Sequence, residues 1–188
     1  MLPISAKPTK SVLLATIVVF AALIAVGTIL SIPLPPPLYE ITWAPAIYMA
    51  LSAMVDPVTS GSAIGIGSFI GEAYNITFKG GGSPIYPFGM LWARVPEAFI
   101  IGWARNRGRR TLVLAMVGAT AFETLAFFFP DWLFYTFGLF QYGSPTTVIS
   151  AFYTASTDFA TLLDLAYIPV SLVLIRAARP AFKRLGFS

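Results

Sequence analysis

The chain contains no cysteine and no histidine. The first absence excludes disulfides and thiolate metal sites. The second removes the commonest metal ligand and the usual general base, and with them any Ser-His-Asp chemistry. Charge is also scarce. Only 11% of the 188 residues are Asp, Glu, Lys or Arg, where an average soluble domain carries about a quarter. There is no Gly-x-x-x-x-Gly-Lys-Ser/Thr, so ATP is not held by a P-loop. Gly65, Gly67 and Gly71 have the wrong spacing for a dinucleotide fingerprint and no strand before them, and read as helix packing. No internal repeat of the kind found in complete secondary transporters stands out.

What is present is apolar surface. Hydrophobic residues make up 57% of the chain, more than the interior of a soluble domain this size can hide. A membrane helix needs roughly 20 mostly apolar residues. Six candidate spans follow, at about 11–32, 41–55, 58–78, 86–104, 111–129 and 146–178. They are punctuated by the proline cluster at 33–37, by Asp56 and Pro57, by the glycine run at 80–82, by the arginines after Ala104 and by Pro130, since proline does not continue a helix. The first span is too long for a signal-peptide core and has no small-x-small cleavage site after it. The expected fold is therefore one all-α integral membrane domain over residues 1–188.

Basic residues set its orientation. With the N-terminus inside, Lys7, Lys10, Arg105, Arg107, Arg109, Arg110, Arg176, Arg179, Lys183 and Arg184 all fall in the cytoplasm, which is ten of the twelve. Only Lys79 and Arg94 lie elsewhere. Six spans, with both termini cytoplasmic in a multi-pass protein of the cell membrane, satisfy this pattern; five would not.

Ionisable groups inside spans are costly and generally face a cavity or a partner. Glu72, Arg94, Glu97, Glu123, Asp158 and Asp164 are such groups. At about 100° per residue, Gly61, Gly65, Ser68, Glu72 and Asn75 fall within an arc of about 80° on the third helix. Thr147, Ser150, Thr154, Thr157, Asp158, Thr161 and Asp164 fall within about 120° on the sixth. Arg94 and Glu97, three apart, share a face of the fourth. Hydrogen bonds between helices account for the Ser and Thr residues, but packing does not require five carboxylates and a guanidinium. Their depth places them toward the outer leaflet, as in a pocket open to the outside. Trp43, Tyr86, Trp132, Tyr135, Tyr142 and neighbouring rings in the outer loops are either an interfacial belt or a lid over that pocket. The candidate ligand contacts are Trp43, Glu72, Asn75, Trp92, Arg94, Glu97, Glu123, Trp132, Tyr135, Tyr142, Tyr153, Thr157 and Asp158, with no metal or cofactor.

Certain stretches of text resemble the substrate-binding S component of energy-coupling-factor (ECF) importers. Ala21, Leu23 and Ala25 followed by Ile32 and Pro33 resemble that family's first helix and loop. Trp43, Ala44 and Pro45, then Asp56 to Gly61, resemble its second helix and the entry to its third. The resemblance implies a non-enzymatic subunit that captures a vitamin-like molecule near the outer face. It also implies a transmembrane coupling protein and two ATPase subunits as partners, with Ala21 and Ala25 meeting the coupling protein. An acidic interior points to a cationic or aromatic ligand. Two other classes fit the residues less closely. One is a stand-alone proton-coupled carrier relaying through Glu123 or Asp158. The other is a membrane-embedded lipid enzyme using Asp158 and Asp164 around a metal, although an α-helix would set those two about 80–120° apart.

Overall fold

The computed structural model describes residues 7–33, 40–80, 83–140 and 144–187. These are almost entirely helical. Helix α1 (Lys10–Ile29) leads into a short antiparallel pair, β1 (Ser31–Pro33) and β2 (Glu40–Thr42), with Ser31 opposite Thr42. Helices α2 (Ala44–Ser52) and α3 (Pro57–Tyr74) follow, and α3 widens into one π-helical turn, Asn75–Lys79. Then come α4 (Tyr86–Ala104), α5 (Arg109–Phe137) and α6 (Val148–Ala155). A 3-10 segment, Ser156–Tyr167, joins α6 to α7 (Ile168–Arg184).

Glycine sets the closest helix crossing. A Cβ on Gly67 would lie 2.5 Å from the Ala21 carbonyl oxygen, and one on Gly71 would lie 2.6 Å from Thr28 Cβ. The pairs 67–21 and 71–28 rise together, so α1 and α3 run parallel. Helix α4 returns antiparallel to α3, with Pro57 against Gly102 and Phe69 against Phe88. Helix α5 is antiparallel to α4. Helix α2 fills the centre. Tyr48, Met49 and Leu51 are fully buried, and the helix is apolar on all sides because other helices surround it.

The ends of the bundle differ in charge. The helix ends next to Lys10, residues 105–110 and the C-terminal part of α7 gather at one end, where Arg179 donates to the Arg105 carbonyl at 3.1 Å. The C-terminal end of α1, the π turn, the start of α4, the end of α5 and the 3-10 segment gather at the other.

Three helical stretches are long and apolar enough to cross a membrane: Lys10–Ile29, Arg109–Phe137 and Val148–Arg184. The outward faces of α1, α5 and α7 expose Leu14, Val18, Leu114, Leu125, Val170 and Val173, which fits a bilayer better than water.

Several expected boundaries move. The second span shrinks to nine helical residues. The sixth is broken by the 3-10 segment. Pro130, expected to end the fifth span, lies inside α5 instead. Lacking an N–H, it leaves the carbonyl of Ala126, four residues back, without a helical donor. Trp92 Nε1 supplies the missing bond at 3.1 Å, so the helix continues to Phe137. It stops at Gly138, which takes the left-handed conformation (φ 61°) that glycine accommodates. Trp132 and Tyr135, expected in a loop, consequently sit on α5.

Candidate ligand-binding cavity

A cluster of charged side chains lies in the middle of the bundle. Arg94 Nε donates to Glu123 Oε1 at 2.8 Å, with both side chains buried. Its Nη1 donates to Ser68 Oγ at 3.3 Å, and the guanidinium lies 5.6 Å from the centre of the Tyr48 ring. The Tyr48 hydroxyl donates to Glu123 Oε2 at 3.1 Å and approaches Asp164 Oδ2 at 3.4 Å. One hydroxyl proton serves one acceptor best, so Glu123 is the firmer partner. Glu97 is fully buried and makes no bond to Arg94; the side chain it meets is the Glu123 carboxyl, with which it can share a proton. The shared helix face thus does not pair Arg94 with Glu97; the partner is Glu123, one helix away.

Above this cluster, at the end opposite the basic loops, opens a cavity of about 520 Å³. The π turn contributes Asn75 and Lys79, with Glu72 just before it. Arg94, Tyr86 and Met90 reach it from α4, and Phe127, Asp131 and Tyr135 from α5. The 3-10 segment supplies Thr157, Asp158, Thr161 and Asp164. With three residues per turn, a 3-10 helix eclipses positions i, i+3 and i+6. Asp158, Thr161 and Asp164 therefore line up on one face. The divergence of the two aspartates expected from α-helical geometry does not occur.

The cavity gathers charge of one sign. Six of the eight acidic residues of the chain line it or lie in the cluster beneath it: Glu72, Glu97, Glu123, Asp131, Asp158 and Asp164. The cations in its wall are Arg94 and Lys79. Tyr86 stacks on Phe127 with centroids 5.5 Å apart and 7° between planes, and its hydroxyl donates to Asp158 Oδ1 at 3.4 Å. Among the described residues, no three acidic side chains converge as metal ligands would. The site has the size and lining to hold a small organic molecule.

Of the candidate contacts, Glu72, Asn75, Arg94, Tyr135, Thr157 and Asp158 line the cavity, and Glu97 and Glu123 lie in the cluster beneath it. Four aromatic candidates point elsewhere. Trp43 packs edge-on against Tyr167 at 5.8 Å and is 47% exposed. Trp92 is committed to Ala126. Trp132 donates to the Val148 carbonyl at 3.0 Å and packs with Phe128 and Phe152. Tyr153 is 72% exposed on the outer surface. Tyr142 lies outside the described residues. Ala21 and Ala25 are buried against α3 of the same chain; the small face expected to meet a partner helix is already occupied.

Tyr48 and Asp131 belong to the site without having been among the candidates. Tyr48 is one tyrosine in a short apolar stretch, and its orientation depends on three neighbouring helices. Asp131 follows Pro130 and reads as a loop residue unless the helix is known to continue. No family model matches the chain, and no characterised protein or solved structure shows significant similarity to it.

Proposed function

We propose that the chain is a six-span protein of the cell membrane, with both termini cytoplasmic, that captures a small molecule from outside as the S component of an ECF-type importer. On this reading α2, α3 with its π turn, and α4 join the three long apolar stretches as spans. Helices α3 and α4, of 18 and 19 residues, are about 27–28 Å long, close to the hydrocarbon thickness. The observation carrying the proposal is the cavity of about 520 Å³, with four acidic residues in a mixed polar and apolar wall, at the end of the bundle opposite the arginine loop and the basic C-terminal helix. The chain does no covalent chemistry in this role. Capture is its task, and a transmembrane coupling protein with two ATPase subunits supplies the energy.

Thermal stability of the purified protein in detergent, measured against a panel of vitamins and their precursors, tests this. A ligand at a thousandfold excess over its Kd stabilises by about 4 kcal/mol. One clear hit, lost on Glu72→Ala or Asp158→Ala, is the expected outcome. One observation favours a proton-coupled carrier instead: the fully buried Glu97 against the carboxyl of the Arg94–Glu123 pair, two carboxyl groups of the kind proton relays use. Absence of any hit, together with uptake by the protein alone in liposomes, would move the assignment there.

A further inference from the structure

We infer that the cavity takes an organic cation donating N–H bonds at two separate points, a charged amino group to Asp158 and a second amino group to Asn75. The inference rests on the reading of the cavity as a ligand site and specifies what that ligand must carry.

Three buried polar atoms of the cavity wall have no hydrogen-bond partner among the described residues. Asn75 is 7% exposed and lines the cavity, and its Oδ1 has no hydrogen-bond partner. Its orientation is fixed from the other end. Nδ2 donates to the Thr28 carbonyl at 3.2 Å, and a carbonyl can only accept, so the oxygen must be the end left open. Asp158 Oδ2 is likewise buried without a partner, while Oδ1 is held by Tyr86. Asn75 Oδ1 can only accept, and Asp158 Oδ2 accepts once the carboxyl is ionised, the form a bound ammonium favours. Thr28 Oγ1, also unpartnered at the cavity wall, can donate or accept and so opposes neither. Buried acceptors normally find a donor, and none comes from the described protein.

The donors of the cavity wall are partly engaged. Lys79 Nζ donates to the Ile29 carbonyl at 2.5 Å and to Ser31 Oγ at 3.1 Å. Arg94 commits Nε to Glu123 and Nη1 to Ser68. An anion reaching the remaining N–H groups of Arg94 or Lys79 would sit among Glu72, Asp131, Asp158 and Asp164, whereas a cationic N–H donor is favoured by the same carboxyl groups. Asp131, 6% exposed, is a charged neighbour of Asp158. Two carboxyl groups side by side hold a proton between them unless a cation relieves their repulsion. The stacked rings of Tyr86 and Phe127 add an aromatic wall that also attracts positive charge. Asn75 and Asp158 belong to different elements, packed against α1 and against α4 respectively. One ligand meeting both therefore carries donors at two places on its frame.

Four small probes test this by direct titration of the purified protein. 4-Aminobenzylamine carries an ammonium and a second amino group. Benzylamine lacks the second group, benzyltrimethylammonium keeps the charge without any N–H, and 4-aminobenzoate reverses the charge. The expected order places 4-aminobenzylamine about tenfold ahead of benzylamine, with benzyltrimethylammonium weaker again and 4-aminobenzoate without binding. Asp158→Asn should weaken both primary amines about tenfold. Asn75→Leu should remove the advantage of 4-aminobenzylamine over benzylamine and leave benzylamine unchanged. Equal binding of benzyltrimethylammonium, or tighter binding of 4-aminobenzoate, overturns the inference. The ranking on the unsubstituted protein decides the matter even where a variant fails to fold. An anionic hit from the vitamin panel would leave the capture role standing and overturn this inference alone; no binding by panel or probes overturns both.

Discussion

Glu97 and Glu123 are both fully buried beside Arg94, yet only Glu123 is ion-paired with it, while Glu97 meets the Glu123 carboxyl. The charged neighbours of Glu97 are Glu123, Arg94 and Asp164, so three carboxyl groups share one guanidinium. Neutralising the two glutamates should therefore have opposite consequences. Glu123→Gln leaves a buried guanidinium without its counter-charge, and breaking such a pair costs about 3 kcal/mol. Glu97→Gln keeps the shape of the side chain and supplies an amide donor toward Glu123, so its effect should lie within about 0.5 kcal/mol of zero or stabilise. Equilibrium unfolding in mixed detergent–SDS micelles reads both. Equal losses would show that Glu97 also contributes to holding the cluster. At this scale the sequence is informative about cost but not about partners. A lone Arg among apolar residues announces a buried site. Whether Glu97 on the same helix or Glu123 on the next one meets it depends on helix rotation, which the spacing 94–97 does not carry. Trp92 shows the same limit: its indole is aimed by the carbonyl that Pro130 frees, a relation visible only once α4 and α5 are side by side.

At the scale of elements, helix periodicity located α1 and α4 closely; of the polar stripe read on the sixth span, Thr157, Asp158, Thr161 and Asp164 line the cavity, while Thr147 and Ser150 are exposed outside it. Periodicity failed where the helix type changes. The 3-10 geometry of Ser156–Tyr167 realigns Asp158 and Asp164, and no apolar pattern signals a shift from 3.6 to 3.0 residues per turn. Glycine in α3 was readable as packing, and the structure names what it packs against. Gly67→Ala should cost about 1–3 kcal/mol, because its Cβ would fall 2.5 Å from the Ala21 carbonyl oxygen and 2.8 Å from Ile24 Cβ. Gly118 on α5 has nothing within 4 Å of an added Cβ, so Gly118→Ala should gain about 0.5–1 kcal/mol from helix propensity alone. The same unfolding assay compares them. A Gly67→Ala variant as stable as Gly118→Ala would mean that α1 and α3 do not pack this closely.

For the whole molecule, the question is how many helices cross the bilayer. Length and composition alone single out three stretches: α2 has nine residues, α3 is rich in glycine, serine and threonine, and α4 carries Arg94 and Glu97. The polar faces of α3 and α4 turn inward to the cluster and cavity, while Ile66, Ile70, Leu91 and Phe99 face outward. Such helices tolerate a bilayer because their charges do not meet lipid. Three spans and six spans make different statements about the N-terminal segment. With only α1, α5 and the α6–α7 stretch crossing, residues 7 and 106 lie on opposite sides; with six spans they share one side. The chain has no cysteine, so each introduced thiol reports alone. Lys7, Asn106 and Ser144 are exposed positions. In intact cells, Ser144→Cys should react with a membrane-impermeant maleimide, and Lys7→Cys and Asn106→Cys should react only after permeabilisation. Labelling of Lys7→Cys and Asn106→Cys from opposite sides would rule out six spans. Labelling of both from outside, with Ser144→Cys protected, would place the cavity on the cytoplasmic face, where a subunit that captures molecules from outside could not use it.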